Sequence, residues 1–477
     1  MILFFEENKM GEPQFEKKLS PMHVWSLALG CIIGWGAFVM PGNTFLCKAG
    51  PLGTAIAMAI AATIMIIIAF NYSYMINRYP VAGGEFTYAR KAFGRNHAFF
   101  CSWFLGLSYL AVVPLNGTAL ALIGRNLLNN VFQIGFHYNV AGYDIYMGEV
   151  LLAGVVLVLF AGLSIKGVKL AGIFQTGLVF ALVGGVLIIA IAAVANTSVT
   201  LENLSPVYYA DESKVTGVLA VVAVAPWAFV GFDTVPQAAE EFKFSSGKTK
   251  FIMVISILFG AMVYVVLNTV TAAVVPARYG SWVEYIDDLE NLDGLISLPT
   301  FNAAHELLGT AGLVFIGVAV LAAILSGIIG FYIAASRLLY SMSHEHVLPA
   351  WFGKLNEKYK TPANAILFVM AASLIAPFCG RTALGWIVDM SSVGAAIGYG
   401  YTSAAALKFA KAERNYGIII TGVLGVVMAI VFAFLLLVPV PMLDSSLGKE
   451  SCICLVVWCT VGVLFYMKSR KRDLREG

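Results

Sequence analysis

The sequence has few charged residues for its length. Of its 477 residues, 12% are charged and 60% are hydrophobic, and the mean hydropathy is +0.84. Soluble domains carry about 25% charged residues, so a chain of this composition cannot cover itself with a polar surface. Lipid accepts an apolar surface, and a helix needs about 20 apolar residues to cross it. The composition excludes a soluble globular protein and predicts an integral membrane protein.

Motifs that carry catalysis or bind metals are also missing. The sequence has no HExxH, GxSxG or GxxxxGK[ST] pattern, and none of its seven cysteines forms a CxxC pair. His344 and His346 stand two residues apart, so on a helix they point about 200° away from one another and do not share an ion. We therefore expect no enzyme activity, no metal site and no cofactor. The lack of a phosphate-binding loop excludes a protein that is driven directly by ATP hydrolysis.

Twelve apolar stretches are long enough to span a bilayer. Every backbone N–H and C=O in lipid needs an internal partner, so these stretches must be helical. The alternating pattern of a membrane barrel is absent. The sequence predicts an all-α integral membrane protein of about 12 transmembrane helices. They lie near residues 22–46, 52–77, 98–123, 147–165, 169–195, 215–238, 251–275, 311–342, 363–379, 383–407, 417–440 and 452–467.

The basic residues divide unevenly between the two sides that this helix count defines. With a cytoplasmic N-terminal segment at 1–21 and a cytoplasmic tail at 468–477, 24 of the 30 Lys and Arg residues lie inside and 6 outside. Retained positive charge orients multi-pass proteins. We predict a multi-pass protein of the plasma membrane, in contact with the lipid bilayer, with both termini cytoplasmic. This bias accounts for the net charge of +3, and we expect no nucleic acid partner.

No secretory signal precedes the first predicted helix. The first 20 residues contain four glutamates and no apolar stretch of the length of a signal-peptide h-region, which runs to about 7–15 residues. We therefore expect membrane insertion to depend on the helices themselves.

Two of the predicted helices, the first and the sixth, contain clusters of glycine and proline. In a helix interior glycine costs roughly 1 kcal/mol and proline roughly 3. Irregular backbone at membrane depth is tolerated only where it is buried in protein or lines a cavity, and interrupted helices at equivalent positions of two halves indicate a transporter site. We predict discontinuous helices 1 and 6 in a 5+5 inverted repeat, residues 22–195 and 215–410, followed by two helices in 417–467. The clusters are Gly30, Gly34, Gly36, Pro41 and Gly42 in helix 1, and Pro226, Gly231 and Pro236 in helix 6.

Several segments resemble the amino acid–polyamine–organocation (APC) transporter superfamily, over nearly the whole chain. Helix 1 is similar to the signature GxxxGxGxF, and the loop YPVAGGEFTYARKAFG at 79–94 is similar to the family's first cytoplasmic loop. Helix 6, with GFD followed by AEE at 239–241, and the run ASRLLYSMSHEHVLPAWFGKL from Ala335 extend the likeness. The resemblance implies the inverted-repeat fold of the bacterial leucine transporter.

The resemblance also implies where a substrate would bind. In the family, backbone amides of unwound helix 1 meet the substrate carboxylate, and carbonyls of helices 1 and 6 meet its ammonium. Half-helix N-termini attract anions and exposed carbonyls attract cations, which agrees with these roles. Carried over, the amides belong to Gly34, Trp35, Gly36 and Ala37, and the carbonyls to Ile32, Ile33, Ala228, Phe229 and Val230.

The chain departs from the family's pattern at three places. Trp35 stands where family members usually carry Ser or Thr. Residues 176–186 of helix 5 hold no ionisable side chain, whereas many proton-coupled relatives place a lysine there. Sodium-coupled relatives need hydroxyls on helix 8, where Ser326 has no adjacent hydroxyl partner. We favour H+ over Na+ as a coupling ion.

Four polar or aromatic features near the break of helix 6 or in the spans allow more than one interpretation. Asp233 is a coupling group or the cap of the second half-helix. An acid within a span is energetically costly, so it is expected to have one of these roles. Asp389 lies nearer the outer surface, where we favour ordinary hydration. Trp227 or Phe229 is expected to gate the site. Asn116 bonds a ligand or a neighbouring helix, and we favour the helix.

We therefore expect a permease that moves an amino acid by alternating access, as a symporter or an antiporter. An amine or polyamine permease is the alternative, although such a site should hold several acids, and only Asp233 and Asp389 are available. A non-transporting nutrient sensor would need a signalling domain, which we do not find. If the indole of Trp35 enters the cavity, it favours substrates with small or apolar side chains over arginine and lysine. The other possibility is that it packs between helices.

Overall fold

The computed structural model describes residues 15–127, 131–209, 213–443 and 445–476. Residues 1–14 of the predicted N-terminal segment and residue 477 of the predicted tail lie outside the described residues. The α-helices are α1 (Pro21–Ile32), α2 (Gly36–Met40), α3 (Cys47–Arg78), α4 (Gly84–Phe93), α5 (Arg95–Leu127), α6 (Met147–Ile165), α7 (Val168–Ala195), α8 (Lys214–Ala228), α9 (Thr234–Gln237), α10 (Thr249–Ala273), α11 (Trp282–Asp287), α12 (Pro299–Leu308), α13 (Thr310–His344), α14 (Ala363–Ile375), α15 (Gly380–Glu413), α16 (Tyr416–Leu437) and α17 (Lys449–Glu476).

The helices have the length and composition of membrane spans. Within the described residues, nine helical segments are long and apolar enough to cross a bilayer, and Pro21–Ile32 and Lys214–Val224 are shorter apolar helices. Two of the nine join neighbouring predicted helices: Gly36–Arg78 combines the second part of helix 1 with helix 2, and Ala363–Glu413 combines helices 9 and 10. Large apolar side chains such as Leu159 and Ile430 are 63% exposed, as suits a surface that faces lipid. The prediction of an all-α integral membrane protein is confirmed.

Both predicted helix breaks are present. The side chain of Ser20 accepts a hydrogen bond from the N–H of His23 and caps α1, which ends at Ile32. The helix resumes at Gly36 and continues through a π-helical turn, Pro41–Leu46. In the same way α8 ends at Ala228 and α9 begins at Thr234. Helices 1 and 6 are therefore discontinuous at residues 33–35 and 229–233.

The two breaks touch because of one glycine. Gly231 has a φ of +140°, in a region that only glycine enters without strain. A Cβ at this position would lie 2.6 Å from the backbone of Cys31 and Ile32. The lack of a side chain at Gly231 therefore allows the interrupted part of helix 6 to pack directly on the end of α1.

One short sheet interrupts the helical pattern, and the sequence analysis did not foresee it. Strands β1 (His137–Val140) and β2 (Tyr143–Tyr146) form an antiparallel hairpin between α5 and α6. The two turn residues, Ala141 and Gly142, both have positive φ, as a two-residue type I′ turn requires. The alternation in so short a segment is too brief to stand out beside the long apolar helices.

At one end of the bundle, three segments that are far apart in the sequence are joined by polar contacts. Arg337 of α13 forms a bidentate ion pair with Glu241, at 2.8 and 3.2 Å, and both side chains are at most 2% exposed. The N–H of Ala82 donates to Glu240 at 3.2 Å. Arg90 of α4 pairs with Glu345 at 3.0 Å. We call this region, defined by these contacts, the closed end.

Candidate functional site

A cavity lies where the two helix breaks meet. Besides the breaks, α5, α10, α13 and α15 contribute to its wall, which carries hydroxyl and amide groups as well as apolar side chains. The inner cavity is lined by Cys31, Ile32, Gly34, Trp35, Gly36, Ser108, Val112, Leu115, Asn116, Trp227, Val230, Tyr264, Gly327, Phe331, Ser391 and Ser392.

The predicted substrate-binding and gating residues divide into two groups in the structure. Six of them line the inner cavity: Ile32, Gly34, Trp35, Gly36, Trp227 and Val230. The others lie behind its wall, fully or almost fully buried: Ile33, Ala37, Ala228, Phe229 and Asp233.

The backbone at the break of helix 1 has free donors. The N–H of Ala37 already donates to the carbonyl of Gly34 at 3.1 Å, and the N–H of Phe38 donates to Trp35 at 3.0 Å. No backbone acceptor within the described residues takes the N–H groups of Gly34 to Gly36. Those three donors remain available to an anionic group, whereas the predicted donor Ala37 is engaged.

A second cavity, the vestibule, is separated from the inner cavity by two indoles. Trp35, Leu115, Trp227 and Ser392 line both spaces. The indole of Trp227 lies against Gly36, where a Cβ would come within 2.5 Å of the ring. Phe229 faces away from the vestibule, towards Tyr264, at a ring-centroid distance of 6.4 Å. Of the two predicted gate residues, Trp227 is therefore the one between the cavities. The vestibule is further lined by Met40, Thr44, Ala223, Val224, Arg381, Gly385, Val388, Asp389, Leu436, Ser445, Ser446 and Leu447.

Arg381 places a positive charge directly over this boundary. Its guanidinium carbon lies 4.2 Å from the ring centroid of Trp35, which is a favourable cation–π distance. Its Nη1 atom is buried and has no hydrogen-bond partner among the described residues. The sequence analysis counted Arg381 only as an outside charge. Asp389, on the same helix, is exposed, and its Oδ2 atom lies 3.4 Å from Ser451 Oγ.

Asp233 does not cap α9. Its side chain makes no hydrogen bond to the first N–H groups of that helix, because Thr234 and Val235 donate to the carbonyls of Gly231 and Phe232. Instead, Asp233 Oδ1 accepts from the N–H of Gly231 at 2.7 Å. The carboxyl group therefore holds the break of helix 6 itself, and the cap prediction is wrong.

A second buried acid lies close to Asp233. Glu85 of α4 is 0% exposed and accepts hydrogen bonds from Tyr72 at 2.9 Å and from Gln237 at 2.7 Å. The hydroxyl of Tyr109 is 3.0 Å from Asp233 Oδ2 and 3.4 Å from Glu85 Oε1. Sequence reasoning missed Glu85 because a glutamate in a short polar loop is usually hydrated. The preceding Gly83-Gly84, both with positive φ, was the available signal of a loop that turns inward.

Helices 3, 5 and 8 place neutral polar side chains near the breaks, and these side chains donate to backbone carbonyls. Gln175 of α7 donates to the carbonyl of Ser26 at 3.2 Å. Ser326 donates to the carbonyl of Gly30 at 2.9 Å, so its hydroxyl joins two helices. Asn116 donates to Val112 of its own helix at 2.9 Å, and its Oδ1 has no partner among the described residues. The predicted bond from Asn116 to a neighbouring helix is absent there, and the side chain lines the inner cavity.

The comparisons with known proteins agree with this architecture. Residues 19–465 match the amino acid permease family. The chain is 26% identical to the branched-chain amino acid permease BcaP of Bacillus subtilis (strain 168), over 97% of this chain and 95% of that one. It is 24% identical to the methylthioribose transporter of the same organism, over 96% and 94% of the two chains. It is also 25% identical to the mitochondrial cationic amino acid transporter 3 of Arabidopsis thaliana, over 80% of this chain and 60% of that one. With a family match over nearly its whole length, the chain belongs to the amino acid permease family, whose members are transporters rather than enzymes.

Proposed function

We propose that the protein is a secondary transporter that moves an amino acid across the plasma membrane by alternating access around the inner cavity. The observation that carries this proposal is the meeting of two helix breaks at one cavity, with Gly231 packed on Cys31 and Ile32. Broken helices supply unpaired backbone groups, which bind the charged ends of a small zwitterion without any charged side chain.

The backbone at the breaks supplies both polarities that an amino acid needs. The N–H groups of Gly34, Trp35 and Gly36 stand at the start of a half-helix and suit the substrate carboxylate. Carbonyl oxygens at the two breaks suit the ammonium. Of the five predicted residues, Ile32 and Val230 line the inner cavity, whereas Ile33, Ala228 and Phe229 lie behind its wall. The N–H of Ala37 joins the site only when its bond to Gly34 opens.

The side chains around the cavity favour a neutral substrate. No acidic residue is present in the described lining of the inner cavity, whereas Arg381 lies above Trp35. A positive charge at the entrance attracts a carboxylate and repels a cationic side chain. A small or apolar amino acid is therefore the substrate class that we favour. This class includes the branched-chain amino acids for which BcaP is named. An amine or polyamine permease is the second candidate, for which the carboxyl groups of Asp389 and Asp233 would be needed.

We assign residues 22–195 and 215–410 to two inverted repeats of five helices, with 417–467 outside them. We also assign the closed end to the cytoplasm and the vestibule to the outside, since this orientation places 24 of the 30 basic residues inside, as positively charged loops favour. Glu290→Cys should then react with an impermeant thiol reagent added to whole cells, in a background without the native cysteines. Lys358→Cys should react only after the cells are opened. The reverse labelling would refute the assignment.

Counterflow in proteoliposomes tests the proposed function. Vesicles loaded with unlabelled L-leucine should take up labelled L-leucine or L-alanine faster than empty vesicles, and L-lysine and spermidine should compete poorly. In a parallel thermal-shift screen, a ligand at 100 times its Kd stabilises the protein by about 2.7 kcal/mol. Exchange of polyamines without exchange of any amino acid would favour the second candidate.

A further inference from the structure

We propose that Glu85 and Asp233 together bind one transferable proton, which the hydroxyl of Tyr109 passes between them. This inference rests on the proposed transport function and identifies the coupling ion as H+, with a site that includes the first loop helix α4. It concerns a pair of acids rather than Asp233 alone. The observation behind it is the arrangement of two fully buried carboxyl groups around a single phenol.

Both carboxyl groups are removed from water and have no counter-ion. Glu85 and Asp233 are each 0% exposed. The titratable groups that face them are the phenols of Tyr72, Tyr88, Tyr109 and Tyr399 and the thiols of Cys31 and Cys101. Among the described residues, no lysine, arginine or histidine forms an ion pair or hydrogen bond with either carboxyl.

Two negative charges are therefore unstable at this place. Burial disfavours the ionised form of a carboxyl group, and a second carboxylate nearby disfavours it further. Tyr72 and Gln237 donate to Glu85, the N–H of Gly231 donates to Asp233, and the one O–H of Tyr109 can donate to either acid. These four neutral donors stabilise one charge, but they do not cancel two. A pair of this kind holds one proton in common, and its titration belongs to the pair.

The geometry gives this proton a route. When Glu85 is protonated, its O–H donates to the oxygen of Tyr109, whose own O–H donates to Asp233 at 3.0 Å. Transfer of the Glu85 proton to Tyr109, together with transfer of the Tyr109 proton to Asp233, moves one proton and restores the neutral phenol. No other reactant is needed, since one O–H bond forms for each one that breaks.

The two ends of this route belong to functionally different places. Asp233 accepts from the N–H of Gly231, within the helix break that lies against the inner cavity. Glu85 is in α4, whose Arg90 pairs with Glu345 at the closed end. Protonation of Asp233 weakens its hold on the break, and protonation of Glu85 weakens its bonds to Tyr72 and Gln237. The position of one proton thus biases both sides of the site.

Helix 5, which is α7 in the structure, provides no proton-carrying side chain next to the break of helix 1. The polar side chain that α7 places against helix 1 is the neutral amide of Gln175, bonded to the carbonyl of Ser26. An amide does not carry a proton through a transport cycle. Within the described residues, the Glu85–Tyr109–Asp233 chain is the hydrogen-bonded set of titratable groups that reaches a helix break.

The test compares two transport modes in proteoliposomes, with labelled L-leucine and L-alanine as probes. An inward proton gradient should drive accumulation by the parent protein, whereas exchange needs no gradient. Glu85→Gln keeps the size and most hydrogen bonds of the side chain but cannot carry the proton. We expect it to lose gradient-driven accumulation at least tenfold, with a much smaller loss of exchange.

A matched pair of tyrosine variants isolates the bridging hydroxyl. Tyr109→Phe removes the hydroxyl between the two acids and should lose accumulation as Glu85→Gln does. Tyr88→Phe removes a hydroxyl that is also buried near Glu85 but has no hydrogen-bond partner in the described part of the chain, and it should keep the parental response. Equal behaviour of the two variants would contradict the route through Tyr109.

Infrared spectroscopy of the purified protein gives a reading that does not depend on transport. The parent protein near neutral pH should show the C=O stretching band of a buried protonated carboxyl, and this band should shift or disappear in Glu85→Gln. Absence of the band in the parent overturns the proposal. So does a parent protein that exchanges labelled amino acids but does not accumulate them when an inward proton gradient is applied. If no amino acid is exchanged at all, the proposed function fails, and the infrared band still decides whether the pair holds a proton.

Discussion

The arginines at the two ends of the bundle differ in their contacts. At the closed end, Arg337 is fully buried and bonded to both carboxyl oxygens of Glu241. At the vestibule, Arg381 rests on the ring of Trp35 and leaves Nη1 without a described partner. A satisfied charge locks segments together, whereas an unsatisfied one remains available to an incoming group. The contrast predicts that removal of the two arginines has different consequences, a loss of stability at the closed end and a change in substrate selection at the vestibule.

The largest expected effect is on stability at the closed end. Arg337→Met leaves Glu241 buried without a partner, which costs about 3–5 kcal/mol. Arg381→Met removes a cation–π contact of about 0.5–2 kcal/mol and leaves no described acid unpaired. Thermal unfolding of the purified variants in detergent should therefore show a much larger loss for Arg337→Met. Adding Glu241→Leu to Arg337→Met should restore most of the lost stability. Similar losses of stability in Arg337→Met and Arg381→Met would contradict the difference between the two ends.

The layer between the two ends gives a second matched pair. Gly231→Ala forces a residue with a side chain to φ +140° and into the backbone of Cys31 and Ile32, so strain alone costs about 1–3 kcal/mol. Gly34→Ala meets nothing within 4 Å and should fold normally. Unfolding and size-exclusion profiles should separate the two variants. A Gly231→Ala protein as stable as Gly34→Ala would show that the two breaks do not pack as described.

The parts of the fold that were predictable are those with strong local signals. Glycine and proline clusters marked both breaks because these residues are costly in a helix interior. Long apolar runs marked the spans, and the motif segments at 79–94, 239–241 and 335–355 were recognised individually. The sequence did not predict that these segments meet at the closed end. Contacts such as Arg337–Glu241 join residues 96 positions apart, and spacing along the chain does not reveal them.

Charged residues near the helix ends were the hardest to interpret. Glu85 was placed in the first cytoplasmic loop and Arg381 among the six outside basic residues, where hydration is the usual outcome. The positive φ of Gly83 and Gly84 turns α4 inward and buries Glu85, and the length of the Arg381 side chain lets it reach Trp35. Both effects depend on tertiary packing. A single sequence places such residues on a side of the membrane, but it does not show which cavity they face.

The boundary between the vestibule and the inner cavity should respond to the size of residue 35. Trp35 lines both spaces, which favours an indole in the substrate path over one packed between helices. Trp35→Ser enlarges the cavity and adds a hydroxyl, so competition assays should show improved inhibition by larger amino acids relative to L-alanine. Phe180, which contacts Trp25 away from both cavities, provides a control as Phe180→Leu. An unchanged ranking for Trp35→Ser would mean that specificity is set elsewhere.

The smallest predicted effect tests the charge of Arg381 directly. Two unit charges about 8 Å apart interact by about 2 kcal/mol at an effective dielectric constant of about 20, and water in the vestibule reduces this. Arg381→Gln should therefore raise the KM for a neutral amino acid a few-fold and improve competition by L-lysine by a similar factor. Both changes should shrink as the salt concentration rises, because screening weakens the parental interaction.

Asp389→Asn is the control of opposite sign for this experiment. Asp389 lines the same vestibule, so its loss should weaken competition by L-lysine rather than improve it. Arg381→Lys should behave more like the parent than Arg381→Gln, since it keeps the charge while it loses the planar stacking on Trp35. If both charge-removing variants shift L-lysine competition in the same direction, the vestibule does not select by charge. The contrast between the two ends would then concern stability alone.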